Sequence, residues 1–333
     1  EPTHWAVEKL DGTGLEVSNE IPQEGSIAVI RGRCRMWIDN PTIPAVAQID
    51  MDYDFATYPV VTQPLLPVLR FNVNGTYNVG RVTGTGQISF RSTAVLDITG
   101  DFGAIGTDSN SVYFYYGGNI GNPAIINSTL TPIPNLLVGS RDITFANDLA
   151  INYDLAIISD GVMKPKGNVA IGRNLILGRF KGGTFQFPNQ ADPITVNVGR
   201  DIDFTESNNV NPPTPEPRRI LTTGTTSVVH NLTVGGDIEQ GDQNASSIDL
   251  WDSNSGNRVN LTLSGSSNNS YSRGPGSTSV PELYRVVLNK GVGKTTSFTF
   301  ADDFTLKGQS NATEKPIELV HGLLVLNDQD INI

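Results

Sequence analysis

The chain has 333 residues, a single cysteine and a formal net charge of −11. One cysteine excludes an intramolecular disulfide, and the acidic balance argues against nucleic acid, whose binders carry a basic stripe for phosphates. Gly (34) and Pro (20) are plentiful, only 17% of residues are charged, and long Ala/Glu/Lys/Leu-rich windows are missing. That composition favours strands and turns over helices.

Length alone would allow two domains, but repeat folds escape that count because each repeat touches mainly its neighbours. No run approaches the ~20 apolar residues of a membrane span. Glu1-Pro2-Thr3-His4 is not a signal peptide and reads as a mature start.

From the N-terminus, residues 1–79 mix strand-like runs (Ser26 to Ile30, Arg35 to Ile38) with Pro41, Pro59, Pro64 and Pro67. This segment is expected to be a cap or a set of irregular first coils, since terminal repeats are commonly atypical. Arg31, Arg33 and Arg35 alternate along a strand and read as a solvated face. Cys34 between them reads as a buried structural thiol. Leu15 to Asn19 and Val280 to Leu288 are the best helix candidates, both weak.

Residues 80–333 carry an internal repeat. A nine-residue pattern runs apolar, any, apolar, small, any, Asp/Asn, apolar, any, apolar. It starts at Ile143, Val169, Val196 and Phe298, nearly fits from Leu232, overlaps itself from Leu149, and is weaker from Leu96. Alternating apolar residues place one side of a strand inward. The small residue and Asx form a tight corner, where Gly avoids crowding and Asx bonds its own backbone or tolerates a left-handed conformation. Strand, corner, strand with the same side inward predicts an all-β fold, a parallel β-helix.

Larger features follow from the spacing of those copies. Two related modules, about 80–204 and 220–333, are expected from the similarity of Ile143-Thr-Phe-Ala-Asn-Asp-Leu to Phe298-Thr-Phe-Ala-Asp-Asp-Phe. Loops are expected at 205–219, which is Pro-rich and cannot join a ladder, and at the polar stretch 264–279. The pattern is still running at Ile333, so an open last coil, with its unpaired edge, calls for further repeats or further copies of the same protein there.

Four segments carry a resemblance: Gly84 to Phe90, Leu96 to Phe102, Ser111 to Gly117 and Pro134 to Val138. They resemble the module of large repetitive β-helix surface proteins of Bacteroidetes, and Tyr284 to Lys290 and Glu318 to Asn327 look like its later part. The likeness covers roughly residues 80–333 and departs from the usual pattern at Asn110 to Tyr115. It implies an extracellular or cell-surface location, export by the type IX pathway, and adhesin-like or gliding-associated roles. Surface glycans and secretion machinery are the partners it implies.

Catalytic chemistry has few footholds. Many β-helix proteins act on polysaccharides, which needs acidic residues for acid–base work or calcium on one outer face. Asp50, Asp52 and Asp54 share a strand face by period two and are the candidate Ca²⁺ ligands. Tyr113 and Tyr115 share one face and Phe114 and Tyr116 the other, so one pair belongs to the core and Tyr113 and Tyr115 are the candidate glycan-stacking pair. Asp201 and Asp203 also alternate, but Asp201 holds the corner position of Asp148, Asn174, Asp237 and Asp303 and reads as architectural. His4, His230 and His321 lack metal-ligand spacing and read as surface or edge positions. The Gly-rich run Val79 to Gly86 has no Gly-Lys-Ser/Thr and precedes no helix, so it is no phosphate loop. The expectation is a non-catalytic structural or adhesive stalk without a cofactor. The alternative is a carbohydrate-active or carbohydrate-binding β-helix.

Overall fold

The computed structural model describes residues 5–8, 15–18, 24–31, 35–38, 45–52, 68–91, 95–98, 102–105, 112–117, 124–126, 132–178, 182–204, 217–241, 246–251, 256–274, 277–308, 315–327 and 331–332. All described regular structure is β. The chain divides into two compact units, Glu1–Val112 and Tyr113–Ile333.

The second unit is a parallel β-helix with three sheets visited in cyclic order. Its first sheet stacks Asn135–Gly139, Leu155–Ile158, Leu175–Leu177, Ile202–Asp203, Ile238–Gln240, Asn269–Arg273, Ser297–Phe300 and Leu323–Val325. The second runs from Ala124–Ile126 and Asp142–Phe145 through Gly161–Pro165, Gly183–Phe187, Arg218–Thr222, Ser246–Asp249 and Glu282–Leu283 to Phe304–Leu306 and Ile331–Asn332. The third holds Leu149–Ile151, Val169–Ile171, Thr195–Val198, Val229–Val234, Arg258–Leu263, Arg285–Asn289 and Ile317–His321. Each chain pass crosses first, second and third sheet before returning to the first, and successive strands pair in parallel.

Register turns the apolar alternation into columns. Leu136, Leu155, Leu175, Ile202, Ile238, Tyr271 and Phe300 stand directly above one another in the first sheet. Ile151, Ile171, Val198, Val234, Leu263 and Leu288 do so in the third. All are buried. Burying such a side chain contributes about 1.5–3 kcal/mol, and a one-residue slip would turn the whole strand inside out. The third-sheet column continues to Leu319, paired with Leu288, yet Leu319 is 61% exposed because no described strand covers it. Phe300 anchors the interior near the C-terminal end of the unit, with Phe304 stacked at 4.0 Å and Phe298 edge-on at 5.3 Å.

The corners explain the small residue of the repeat. Gly172, Gly199 and Gly235 lie one above the next where the third sheet turns into the first. A Cβ at Gly199 would overlap the carbonyl oxygen of Gly172, and one at Gly235 that of Gly199. Close backbone approach, rather than unusual φ, demands glycine here. The nine-residue pattern turns different corners in different copies. Those from Leu149, Val169, Val196 and Leu232 link the third sheet to the first, that from Ile143 links second to third, and that from Phe298 links first to second.

The first unit is coiled as well. Trp5–Glu8 and Leu15–Ser18 pair antiparallel. Beyond them, Ile27–Arg31, Val46–Asp52 and Thr76–Gly84 form one parallel ladder, with Val95–Ile98 and Phe102–Ile105 both on Thr76–Gly84. Arg35–Ile38, Val68–Phe71 and Gly86–Phe90 form a second. The chain alternates between the ladders, so the described strands from Ile27–Arg31 to Gly86–Phe90 are irregular early coils. Phe71 packs on Phe90 and Tyr77 in their core, with centroids 5.5 and 4.5 Å apart.

Three expectations need correction. The polar stretch 264–279 is not one loop: Asn269–Arg273 is a first-sheet strand whose Tyr271 points inward between Ile238 and Phe300. One aromatic among Asn and Ser suffices for a strand when the columns above and below accept it. The loop at 205–219 ends earlier, because Arg218 already opens a second-sheet strand; residues 205–216 lie outside the described set. Leu15–Ser18 and Arg285–Asn289 are strands, since tertiary pairing outweighs weak helix propensity. Cys34, Arg33 and His4 lie outside the described residues.

Candidate functional site

The candidate sites begin with the residues the sequence singles out. Asp50 sits on Val46–Asp52, half-buried, and its Oδ1 accepts a hydrogen bond from Thr83 Oγ1 at 2.9 Å. Gln48 Nε2 in turn donates to Thr83 Oγ1 at 3.1 Å, so a neutral hydroxyl satisfies this carboxylate. Asp54 and the side chain of Asp52 lie outside the described residues. Among the described residues no three His, Cys, Asp or Glu side chains group closely enough to hold a metal ion.

Tyr113 and Tyr115 lie on the strand Val112–Gly117, in register with Asn135 and Leu137. Alternation puts Phe114 and Tyr116 inside, both fully buried, and leaves Tyr113 and Tyr115 half-buried on the outer face. The ring of Tyr115 lies over Gly139, where an added Cβ would come within 3.1 Å of its ring edge.

The Asx corners form a ladder. Asn135 Oδ1 accepts from Asp154 N (3.1 Å), Asp154 Oδ1 from Asn174 N (3.1 Å), Asn174 Oδ1 from Asp201 N (3.3 Å) and Asp201 Oδ1 from Asp237 N (2.8 Å). Asp237 Oδ1 completes it by accepting from Ser270 N at 2.6 Å and from the Ser270 hydroxyl at 3.2 Å. Each side chain thus caps the same corner of the next coil, joining residues 19, 20, 27, 36 and 33 positions apart. Asp148 and Asn168 repeat the device at the second-to-third corner, bonding the amides of Asn168 (2.7 Å) and Thr195 (2.9 Å). At the first-to-second corner the acceptor is Asp302, the residue before Asp303, bonding Arg273 N at 2.8 Å.

The outer faces differ between sheets. In the third sheet Ala150, Ala170, Asn197, Thr233 and Thr262 follow in register, beside Thr195, Asn231 and Asn260. Asn260 Nδ2 donates to Asn231 Oδ1 at 3.2 Å, so these amides also run coil to coil. In the first sheet the outer row passes from Leu137, Ala156 and Ile176 to Asp203 and Glu239. Glu239 is exposed, but partial desolvation of its carboxyl, then the charges of Asp203, Asp237 and Asp201, push it above the usual carboxylate range. The alternation of Asp237 with Glu239 was visible in sequence; its meeting with Asp203 was not, because 36 residues separate the coils.

Three buried cationic or titratable side chains carry no sequence signal. His230, expected at the surface, is fully buried instead. Its Nδ1 accepts from Ile194 N at 3.1 Å and its Nε2 lies 3.0 Å from the Pro188 carbonyl, which fixes the neutral Nε2–H tautomer. The imidazole stacks on Phe187 at 5.6 Å, and burial lowers its pKa below 6.5. Arg218 is buried against Gly178 and Gly241 and donates to the Phe204 carbonyl. Lys290 is buried just past a third-sheet strand, where it donates to the Ser264 carbonyl (2.6 Å) and to Asn269 Oδ1 (2.7 Å). His321 is exposed.

No protein-family model, curated protein or solved structure matches the chain.

Proposed function

We infer that the protein is a secreted or cell-surface structural stalk with adhesive use, and that it performs no catalysis. One observation carries the reading: corner carboxylates and amides that could have built a site bond the backbone of the next coil, from Asn135 to Ser270. On the third sheet Asn260 and Asn231 likewise bond from coil to coil. The resemblance to repetitive Bacteroidetes surface modules supports export. The exposed, inward-oriented Leu319 supports cover by a further coil, from more repeats or another copy of the same protein. The test pairs antibody labelling of intact source cells with a screen for release of reducing ends and unsaturated uronates from polysaccharides. Surface labelling without turnover supports the stalk; turnover that tracks the protein overturns it.

A second reading keeps one foothold, the raised carboxyl of Glu239 beside Asp203 on an outer face. Two carboxyl groups on one outer face are the pairing glycoside hydrolysis uses. In a carbohydrate-active protein Glu239→Gln would abolish turnover while leaving the fold intact, and Tyr113 and Tyr115 would offer a stacking platform for sugar rings.

A further inference from the structure

Lys290 is the anomaly of the molecule. It is completely buried, yet among the described residues no carboxylate lies within ion-pair distance of its ammonium. Burying an ammonium without a counter-ion is unfavourable and favours the neutral amine. Both hydrogen-bond partners are neutral: the Ser264 carbonyl at 2.6 Å and the side-chain amide of Asn269 at 2.7 Å. The Phe298 ring lies 5.7 Å from Nζ and closes one side. Among the described residues the charge of Asp237 acts on Lys290 and favours its ammonium, and Asp237 is bonded to the amide and hydroxyl of Ser270, next to Asn269.

The hydrogen bond to Oδ1 holds the amine against the Asn269 side-chain amide, so the two groups meet without a diffusional encounter. A lysine desolvated in an apolar pocket is an activated nucleophile. We propose that Lys290 and Asn269 join in an intramolecular isopeptide bond that staples two successive coils. The neutral amine attacks Asn269 Cγ and forms the new C–N bond. The C–Nδ2 bond breaks, and the proton lost by the amine goes to the departing nitrogen. One ammonia leaves, and no oxidant, reductant or cofactor is consumed. The staple ties the corner after Arg285–Asn289 to the start of Asn269–Arg273, 21 residues back in the chain. The product amide is neutral, so the buried charge disappears with the reaction. Burial also lowers the Lys290 pKa, which raises the share of reactive amine.

Mass spectrometry of the intact, folded chain tests this directly. The expected result is a mass short by one ammonia, together with a tryptic cross-linked species joining residues 259–273 to residues 286–294, uncut at Lys290. Lys290→Arg and Asn269→Ala are expected to restore the full mass. Unmodified mass in the folded wild-type chain after prolonged incubation overturns the proposal. So does an ammonia loss that maps to a succinimide elsewhere. Because the wild-type measurement decides the matter, a variant that fails to fold leaves the test intact.

Discussion

Two kinds of polar group hold the second unit together, and they differ in how they are used. At the third-to-first corner one device recurs: Asp154, Asn174, Asp201 and Asp237 each cap the next coil. Toward the C-terminal end, single buried groups serve as plugs. His230 bridges Ile194 and Pro188, Gln240 Nε2 bonds the carbonyls of Ser246 (2.8 Å) and Ser279 (3.1 Å), and Asn257 ties Thr223 to Thr226. The ladder spreads its contribution over many equivalent partly buried contacts; each plug concentrates it on two or three bonds in a dry site. An orphaned group in such a site costs the full desolvation penalty, so the plugs are expected to be brittle and the ladder tolerant.

Substitutions can break or sharpen that contrast. The largest effect is expected from Phe300→Ala, which empties the space between Tyr271 and Phe304. A loss of about 3–5 kcal/mol, read from the urea midpoint, sets the scale of the shared core. His230→Leu comes next, at about 1–3 kcal/mol for each of the two backbone groups it orphans. Gly199→Ala is expected to cost about 1–3 kcal/mol by overpacking, because the obstructing atom is the backbone oxygen of Gly172 and cannot swing aside. Asp201→Ala, which leaves Asp237 N without its cap, is expected to lose about 1–2 kcal/mol, and Asp201→Asn much less. Thr233→Ala on the outer row is expected to stay within about 0.5 kcal/mol. If Asp201→Ala proved as damaging as His230→Leu, the distinction between ladder and plug would fail.

His230 adds a pH dependence the ladder lacks. Its folded pKa is lowered by burial from the ordinary 6.5. Between that lowered value and 6.5 the unfolded chain binds the proton and the folded one does not, so stability falls as pH falls through this window. Above 6.5 the contribution is fully present. Urea midpoints measured on both sides of 6.5 check this, and His230→Leu is expected to flatten the slope across the window.

The contrast also explains what the sequence made legible. The ladder was visible because it repeats: glycine and Asx recur at fixed offsets between apolar pairs, and only a coil satisfies every copy. Coiling in the first unit was legible as strand-like runs but not as two parallel ladders, since its apolar pattern lacks the repeated corner. The plugs were invisible for the opposite reason. His230 follows Val228-Val229 and resembles an edge residue until Pro188 and Ile194, 42 and 36 positions away, are brought to its ring. Lys290 follows a strand as an ordinary surface lysine would, and only the placement of its partner Asn269 on a strand read as loop reveals its environment. Alternation alone put Tyr113 and Tyr115 on the face opposite Phe114 and Tyr116 without saying which pair lay outside, and Asp50 gave no hint of Thr83, 33 residues on.

The most direct test of the account, that polar side chains here serve coil-to-coil register, is single-molecule pulling on the second unit. Coils that touch mainly their neighbours should release one at a time. The bonded corners are 20, 27, 36 and 33 residues apart, so the predicted steps are roughly 70–120 Å of extended chain. Asp201→Ala should lower the force of one step and leave the others unchanged. A single all-or-none release, insensitive to the corner residues, would contradict the account.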